Sequence, residues 1–402
     1  MSQRQAAIEI IKRLRDKGYT ALLAGGCVRD MLLGREAKDY DVATSAKPDE
    51  VMRIFGRTLE VGAKFGVVVV LSNKAQVEVA TFRSESGYVD GRHPSHVEFA
   101  DAREDASRRD FTINGMFYDP LEDKVIDYVE GRRDLELKII RTIGDPLERF
   151  GEDYLRMLRA IRFSTQLGFD IEEKTFEAVR SKASQIVKIS GERIAMELEG
   201  TLTSPGRKNG CMKLAQTGLL VAIFAQLKKE HAQQGANVLG KFRRNINFAL
   251  ALAGLWSDAD TKTAMDQLEL LKLSRDQYRH IEFLLQNRGR LLDENMPVST
   301  LRRFAASPYF RDLFELRKAM LRVSGGPVSV LTKLKLRVRQ MRGIELTPKP
   351  LLNGHEIIAL GAKYGPQVGQ LAEELYIQQL EGNLSNSEQA RKWAQTWLDQ
   401  RK

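Results

Sequence analysis

Two carboxylates, Asp39 and Asp41, stand two residues apart in the stretch Lys38-Asp39-Tyr40-Asp41-Val42-Ala43-Thr44. On a strand, side chains two apart point to the same side, so the spacing predicts two oxygen ligands aimed at one point. Hard divalent cations, Mg²⁺ above all, are held this way when a substrate phosphate completes the shell. Upstream, an apolar stretch over 21–24 runs into Gly25-Gly26, where the missing side chains let backbone approach a triphosphate closely. Arg29 follows one helical turn later, with a planar fork suited to phosphate oxygens. Strand, double glycine, short helix and paired acids in this order predict phosphoryl transfer. Two Mg²⁺ ions suit such a transfer, one acidifying the attacking hydroxyl and the other holding the triphosphate and its leaving group.

These residues need a frame. Apolar side chains at Ala7, Ile10, Ile11 and Leu14 mark a helix closed by Gly18. Strand-like runs follow at 19–24, 39–43, 65–71 and 77–83, with helical stretches near 28–33 and 48–55. Glu78 alternates with Val77 and Val79, as on a strand with one polar face. It is either a third carboxylate beside Asp39 and Asp41 or a solvent-facing residue. From Asp145 the character becomes nearly continuous helix, with Asp145 as N-cap, Pro146 at the first helical position and Glu148 where a capping-box acid sits. Ser204-Pro205-Gly206-Arg207 and Ser324-Gly325-Gly326-Pro327 read as breaks. At 402 residues the chain is too long for one core. The expected fold is an α/β head, a small mixed sheet with helices, over 1–144, followed by an all-α neck (145–204), body (205–326) and tail (327–402).

With 63 Lys and Arg against 53 Asp and Glu, the net charge of +10 suits a polyanionic partner. No apolar run reaches the length of a membrane span, and the first residues lack the zones of a signal peptide, so a cytoplasmic protein without a membrane partner is expected. Cys27 and Cys211 are the only cysteines, which excludes a disulfide framework and a four-cysteine zinc site. The five histidines form no His-Asp dipeptide and no metal-ligand spacing, which speaks against an appended phosphohydrolase domain.

The segments 25–34 and 38–44 resemble the class II tRNA nucleotidyltransferase and bacterial poly(A) polymerase family, a branch of the polymerase β-like nucleotidyltransferases. The resemblance continues at Arg108-Arg109-Asp110-Phe111-Thr112-Ile113-Asn114, at 127–135 and at 152–159. It implies the head, neck, body and tail layout, and places Gly25, Gly26 and Arg29 at the nucleotide. It also assigns Arg109 to the triphosphate and Asp110 to the ribose, although Arg108, Arg109 and Asp110 alone also fit a salt-bridged surface helix. Asp153 and Arg156 would read the base, with Arg159 and Arg162 supporting the nucleotide site. Chemistry agrees: cytosine and adenine present an amino donor beside a ring-nitrogen acceptor, which an aspartate beside an arginine matches, whereas uracil and guanine do not. The bland alternative is an intrahelical ion-pair ladder that includes Glu152 with Arg156. Residues 81–94 have the glycine, proline and polar content of a mobile loop, and the resemblance makes Arg92 its candidate for reshaping the site between C and A addition.

Farther on, the basic run over 333–342 is either an amphipathic element with one solvated face or a phosphate-tracking surface. Residues 350–361 and Tyr364-Gly365-Pro366 look like the tail of bacterial CCA-adding enzymes, with a departure at His355-Glu356, where an Asp is expected. The sequence thus points to addition or repair of the 3′-terminal CCA of tRNA from CTP and ATP. Poly(A) synthesis with AMP is the rival, and a non-catalytic RNA-binding protein is a third reading that the acid pair opposes. Oligomeric state is left open.

Overall fold

The computed structural model describes residues 2–62, 66–72, 75–88, 94–243 and 245–401. Its first helix, α1 (Gln3–Asp16), starts at Ser2, whose hydroxyl and the Gln5 side chain form a capping box, and buries Ala6, Ala7, Ile10, Ile11 and Leu14. The chain then turns through Gly18, at φ +87°, into the fully buried β1 (Ala21–Ala24). There follow α2 (Gly26–Leu32), β2 (Asp41–Thr44), α3 (Pro48–Ile54), β3 (Thr58–Gly62), β4 (Val67–Ser72) and β5 (Ala75–Thr81). Next come β6 (Arg83–Tyr88), β7 (Pro94–Phe99), α4 (Ala102–Ser107), β8 (Phe117–Asp119), β9 (Lys124–Ile126) and α5 (Gly131–Leu137). The main sheet has the order β3-β4-β5-β2-β1-β8-β9, and the parallel β2–β5 pair in an otherwise antiparallel sheet makes it mixed, as expected.

Three local expectations change. Strand β2 begins at Asp41, so Asp39 lies just before it. Arg108 caps the end of α4, which leaves Arg109 and Asp110 beyond that helix. The expected loop over 81–94 instead carries β6, which pairs antiparallel with β7. Arg92 lies outside the described residues.

β10 (Ile139–Ile140) pairs in parallel with β11 (Asp170–Ile171) and stitches the head to the neck. Between them run α6 (Pro146–Glu152), capped as expected by the Asp145 carboxylate on the Leu147 and Glu148 N–H groups, and α7 (Leu155–Leu167). Then come α8 (Glu173–Lys182) and α9 (Gly191–Leu202), which packs on α7. Ala160, Phe163 and Phe169 of the neck are buried in the head core. A second core runs continuously from Phe150 to Leu334, centred on buried Trp256 and its edge-on partner Phe224. A third, smaller core from Leu352 to Leu398 belongs to the tail. Arg302 ties tail to body by donating to the carbonyls of Leu380 and Glu345, while the Ser299 N–H donates to Glu381 at 2.7 Å. Among the described residues, no helix is long and apolar enough to cross a membrane.

Candidate active site

The turn after β1 is shaped by one glycine. Gly25 has φ +74°, donates its N–H to the Met116 carbonyl at 3.2 Å, and leads directly into α2. A Cβ here would stand 3.0 Å from Arg109 Nη1, so a side chain is opposed both by backbone conformation and by that guanidinium. Arg109 is held over the turn by Asp105, which accepts from its Nε at 3.2 Å and its Nη2 at 2.8 Å, and lies above the Phe117 ring. Arg29 donates Nη1 to Asn114 Oδ1 at 2.8 Å, pairs with Asp30, and sits over the Phe163 ring. The predicted phosphate-side residues Gly25, Gly26, Arg29 and Arg109 are therefore neighbours. Cys27, also in α2, is buried, donates its thiol to the Ala24 carbonyl, and burial pushes its pKa up to about 11, so it is no nucleophile at neutral pH.

Across the sheet, Asp41 pairs in register with Ala24, the last residue before that turn. Val42 stands beside Val79 in the parallel β2–β5 pair, which brings Glu78 alongside Asp41 on the neighbouring strand. Glu78 is exposed between buried Val77 and Val79, as its alternation predicts. Burial, then the charges of Glu78 and Asp39, push the Asp41 carboxyl up to about 6, against the opposing pull of Arg109. Glu78 and Asp39 thus both act electrostatically on Asp41, which is paired opposite the residue before the Gly25 turn. Among the described residues, no three acids, histidines or cysteines close into a finished metal cage. The hard oxygen donors and the net repulsion on Asp41, which Arg109 offsets only in part, fit instead an open cation site that a substrate phosphate would complete.

Asp110 joins head to neck. Its carboxylate accepts from its neighbour's Phe111 N–H at 2.8 Å, from Asn114 Nδ2 at 3.2 Å, and from Arg159 Nε and Nη2 at 2.8 and 2.6 Å. Burial opposes its ionisation, but Arg159 and these donors win and hold its pKa below the usual range. Arg29, Arg159 and Arg162 gather around the Phe163 ring, and Glu197 of α9 accepts from Arg162 Nε at 2.6 Å. Asp110→Asn is expected to cost about 2–4 kcal/mol, somewhat under the fully buried range because Arg159 keeps partial exposure. Because the folded pKa is lowered, this stability is present above the unfolded value and lost as pH falls through the folded one. Urea midpoints at pH 7 and pH 3 check it: the gap between parent and variant narrows in acid.

The Asp153 and Arg156 pair is arranged differently from a helical ladder. Helix α6 ends at Glu152, Asp153 is extended at φ −142° and ψ 105°, and α7 starts afresh at Leu155. Asp153 Oδ1 accepts from the Leu155 N–H at 3.0 Å, and Oδ2 accepts from Arg193 Nη2 at 3.1 Å. Arg156 donates to Glu152, which also takes Arg149, and to the Arg149 carbonyl at 3.0 Å. The two side chains therefore have separate partners. Sequence reading missed Asp105, Asn114, Phe163, Arg193 and Glu197. Three of them left a signal: Asp105 stands four before Arg109, and Arg193 and Glu197 carry opposite charges four apart on one helix. The segment 127–135 proves to be scaffolding: Asp127 accepts from the N–H groups of Val129, Gly131 and Arg132, and Asp134 accepts from Thr112 Oγ1 at 2.7 Å.

Residues 21–141 match the family model described as the poly A polymerase head domain, and residues 168–230 the one described as a probable RNA and SrmB-binding site of polymerase A. The chain is 46% identical over 233 residues to the CCA-adding enzyme of a Geobacillus species, a match spanning 58% of this chain and 57% of that one. It is 34% identical over 403 residues to the CCA-adding enzyme of Lactobacillus johnsonii, covering 96% and 95%. Among solved structures, the Bacillus stearothermophilus CCA-adding enzyme in complex with CTP matches with TM-score 0.83 at 29% identity, over 100% of this chain and 99% of that one. The Thermotoga maritima CCA-adding enzyme complexed with tRNA shares the fold at TM-score 0.68 and 20% identity, over 98% and 95%.

Proposed function

Because the chain belongs to the CCA-adding enzymes, we propose that the acids at the sheet's end and the cationic turn beside them are the centre at which it adds or repairs the 3′-terminal CCA of tRNA from CTP and ATP. The observation that carries this reading is the convergence of Asp39, Asp41 and Glu78 with Arg109 and the Gly25 turn. The primer 3′-oxygen bonds to the α-phosphorus, the bond to the bridging oxygen breaks, and pyrophosphate leaves. Gly25 and Gly26 let the triphosphate approach backbone, while Arg29 and Arg109 offer guanidinium donors to its oxygens. Asp39 and Asp41, with Glu78 beside them, would hold two Mg²⁺ ions, which when bound supply charge neutralisation and a more acidic 3′-hydroxyl. Asp153 and Arg156 select cytosine and adenine by their pairing edge, on the support of Arg159 and Arg162. A tRNA substrate supports a cytoplasmic location.

For the RNA we propose the body and tail. The helix Ser329–Gln340 buries Leu331 and Leu334 and carries the basic run. Lys333 and Arg337 are engaged with Glu294, whereas Lys335, Arg339 and Arg342 line a groove of about 1070 Å³ together with Arg243 and Arg311. Replacing Lys335, Arg339 and Arg342 with Ala is expected to weaken tRNA binding and flatten its log–log salt slope by roughly 0.9 for each phosphate no longer neutralised. Filter binding from 50 to 200 mM salt checks it.

The poly A polymerase description of the head match keeps one rival in view. Incubation with a tRNA lacking CCA, supplying CTP, ATP or both, decides between them on a sequencing gel. Addition that needs both nucleotides and stops after three is expected. Long adenosine tails on tRNA and unstructured RNA alike, indifferent to CTP, would establish the polymerase instead.

A further inference from the structure

Helix α9 presents Arg193 and Glu197, one turn apart, to the start and middle of α7. Glu197 takes the cation Arg162 and stands 4.0 Å from Arg159, while Arg193 takes the acid Asp153. Asp153 needs such a partner. It sits at the break between α6 and α7, and its Oδ1 is occupied by the Leu155 N–H, so the direction of Oδ2 is fixed by Arg193 Nη2 at 3.1 Å. Among the described residues, Arg193 Nη1 makes no hydrogen bond, and Nη2 is the guanidinium atom that holds Asp153.

We propose that Arg193 is a positioning residue for nucleotide selection: it aims the Oδ2 acceptor of Asp153 at the amino group of cytosine or adenine. The inference rests on the reading of Asp153 as the base-edge acceptor. Without Arg193 the carboxylate is free to swing about its Cα–Cβ bond, and an acceptor of undefined direction discriminates poorly between amino and carbonyl edges.

The experiment measures single-nucleotide incorporation into tRNA lacking CCA, giving kcat and KM for CTP, ATP, UTP and GTP, with melting curves for every protein. Arg193→Ala is expected to raise KM for CTP and ATP and to lower the CTP-over-UTP and ATP-over-GTP ratios about tenfold or more, without a matching fall in melting temperature. Arg193→Lys, which keeps a cationic donor, is expected to recover a large part of the ratio. A folded Arg193→Ala protein, or an Arg193→Gln protein should the alanine variant not fold, that keeps its parent's ratios overturns the inference. Asp153→Ala run in parallel separates the two ideas. If it too leaves the ratios unchanged, the base-edge reading fails and takes this one with it. If it collapses them while the Arg193 variants do not, Asp153 selects without help from α9 and only the positioning role of Arg193 falls.

Discussion

Asp41→Ala is expected to lose at least about a hundredfold in turnover, because charge stabilisation at a cation-assisted phosphoryl transfer is worth several kcal/mol. The assay is CTP incorporation into a tRNA lacking its terminal CCA, at saturating nucleotide. Near-normal turnover by a folded variant would sink the carboxylate mechanism. The fold is expected to survive this change, because the ionised carboxyl is under repulsion from Glu78 and Asp39 as well as partly buried. Its folded pKa, about 6, lies above the ordinary aspartate value of 3.8. The contribution is therefore stabilising below the unfolded value and lost as pH rises through about 6. In chelator at pH 7 an Asp41→Asn protein should melt no lower than its parent, and below about pH 4 the difference between them should vanish. A variant that melts well below the parent at pH 7 would show that Asp41 is structural.

That site was legible in sequence wherever the chemistry was local. Glu78 followed from alternation along β5, and the glycine turn from an apolar run that ended in Gly25-Gly26. The strand starts later than expected on its antiparallel side: β1 ends at Ala24, opposite Asp41, and the chain then turns away at Gly25, so the antiparallel ladder stops before Asp39. The hairpin of β6 and β7 was hidden by polarity, since its strands pair with each other rather than with the main sheet and show no alternation of apolar residues. The break in the neck was hidden by propensity. Helical character runs through 146–167, yet the Asp153 carboxylate takes the Leu155 N–H and restarts the helix there, the competition that short polar side chains offer a helical backbone. Long-range pairs such as Arg193 with Asp153, forty residues apart, have no sequence signature at all.

The same pair sets the second large effect. Asp153→Ala is expected to lower use of CTP and ATP and to narrow their margin over UTP and GTP by about a hundredfold or more. A site built to hydrogen-bond one edge rejects the wrong one by roughly 10⁴–10⁵, and removing its acceptor forfeits much of that. The geometry makes a further demand: Arg156 is engaged by Glu152 and the Arg149 carbonyl, not by Asp153. If both side chains read one base, Arg156 must add the nucleotide to its partners or leave Glu152 for it. Arg156→Ala should then raise KM for CTP and ATP as Asp153→Ala does, and the two effects should be non-additive in the double variant, since each removes half of one edge. Incorporation kinetics with the four nucleotides, read beside melting curves, test this. Variants that melt lower but discriminate as well as the parent would return Asp153 and Arg156 to a helix-joining role.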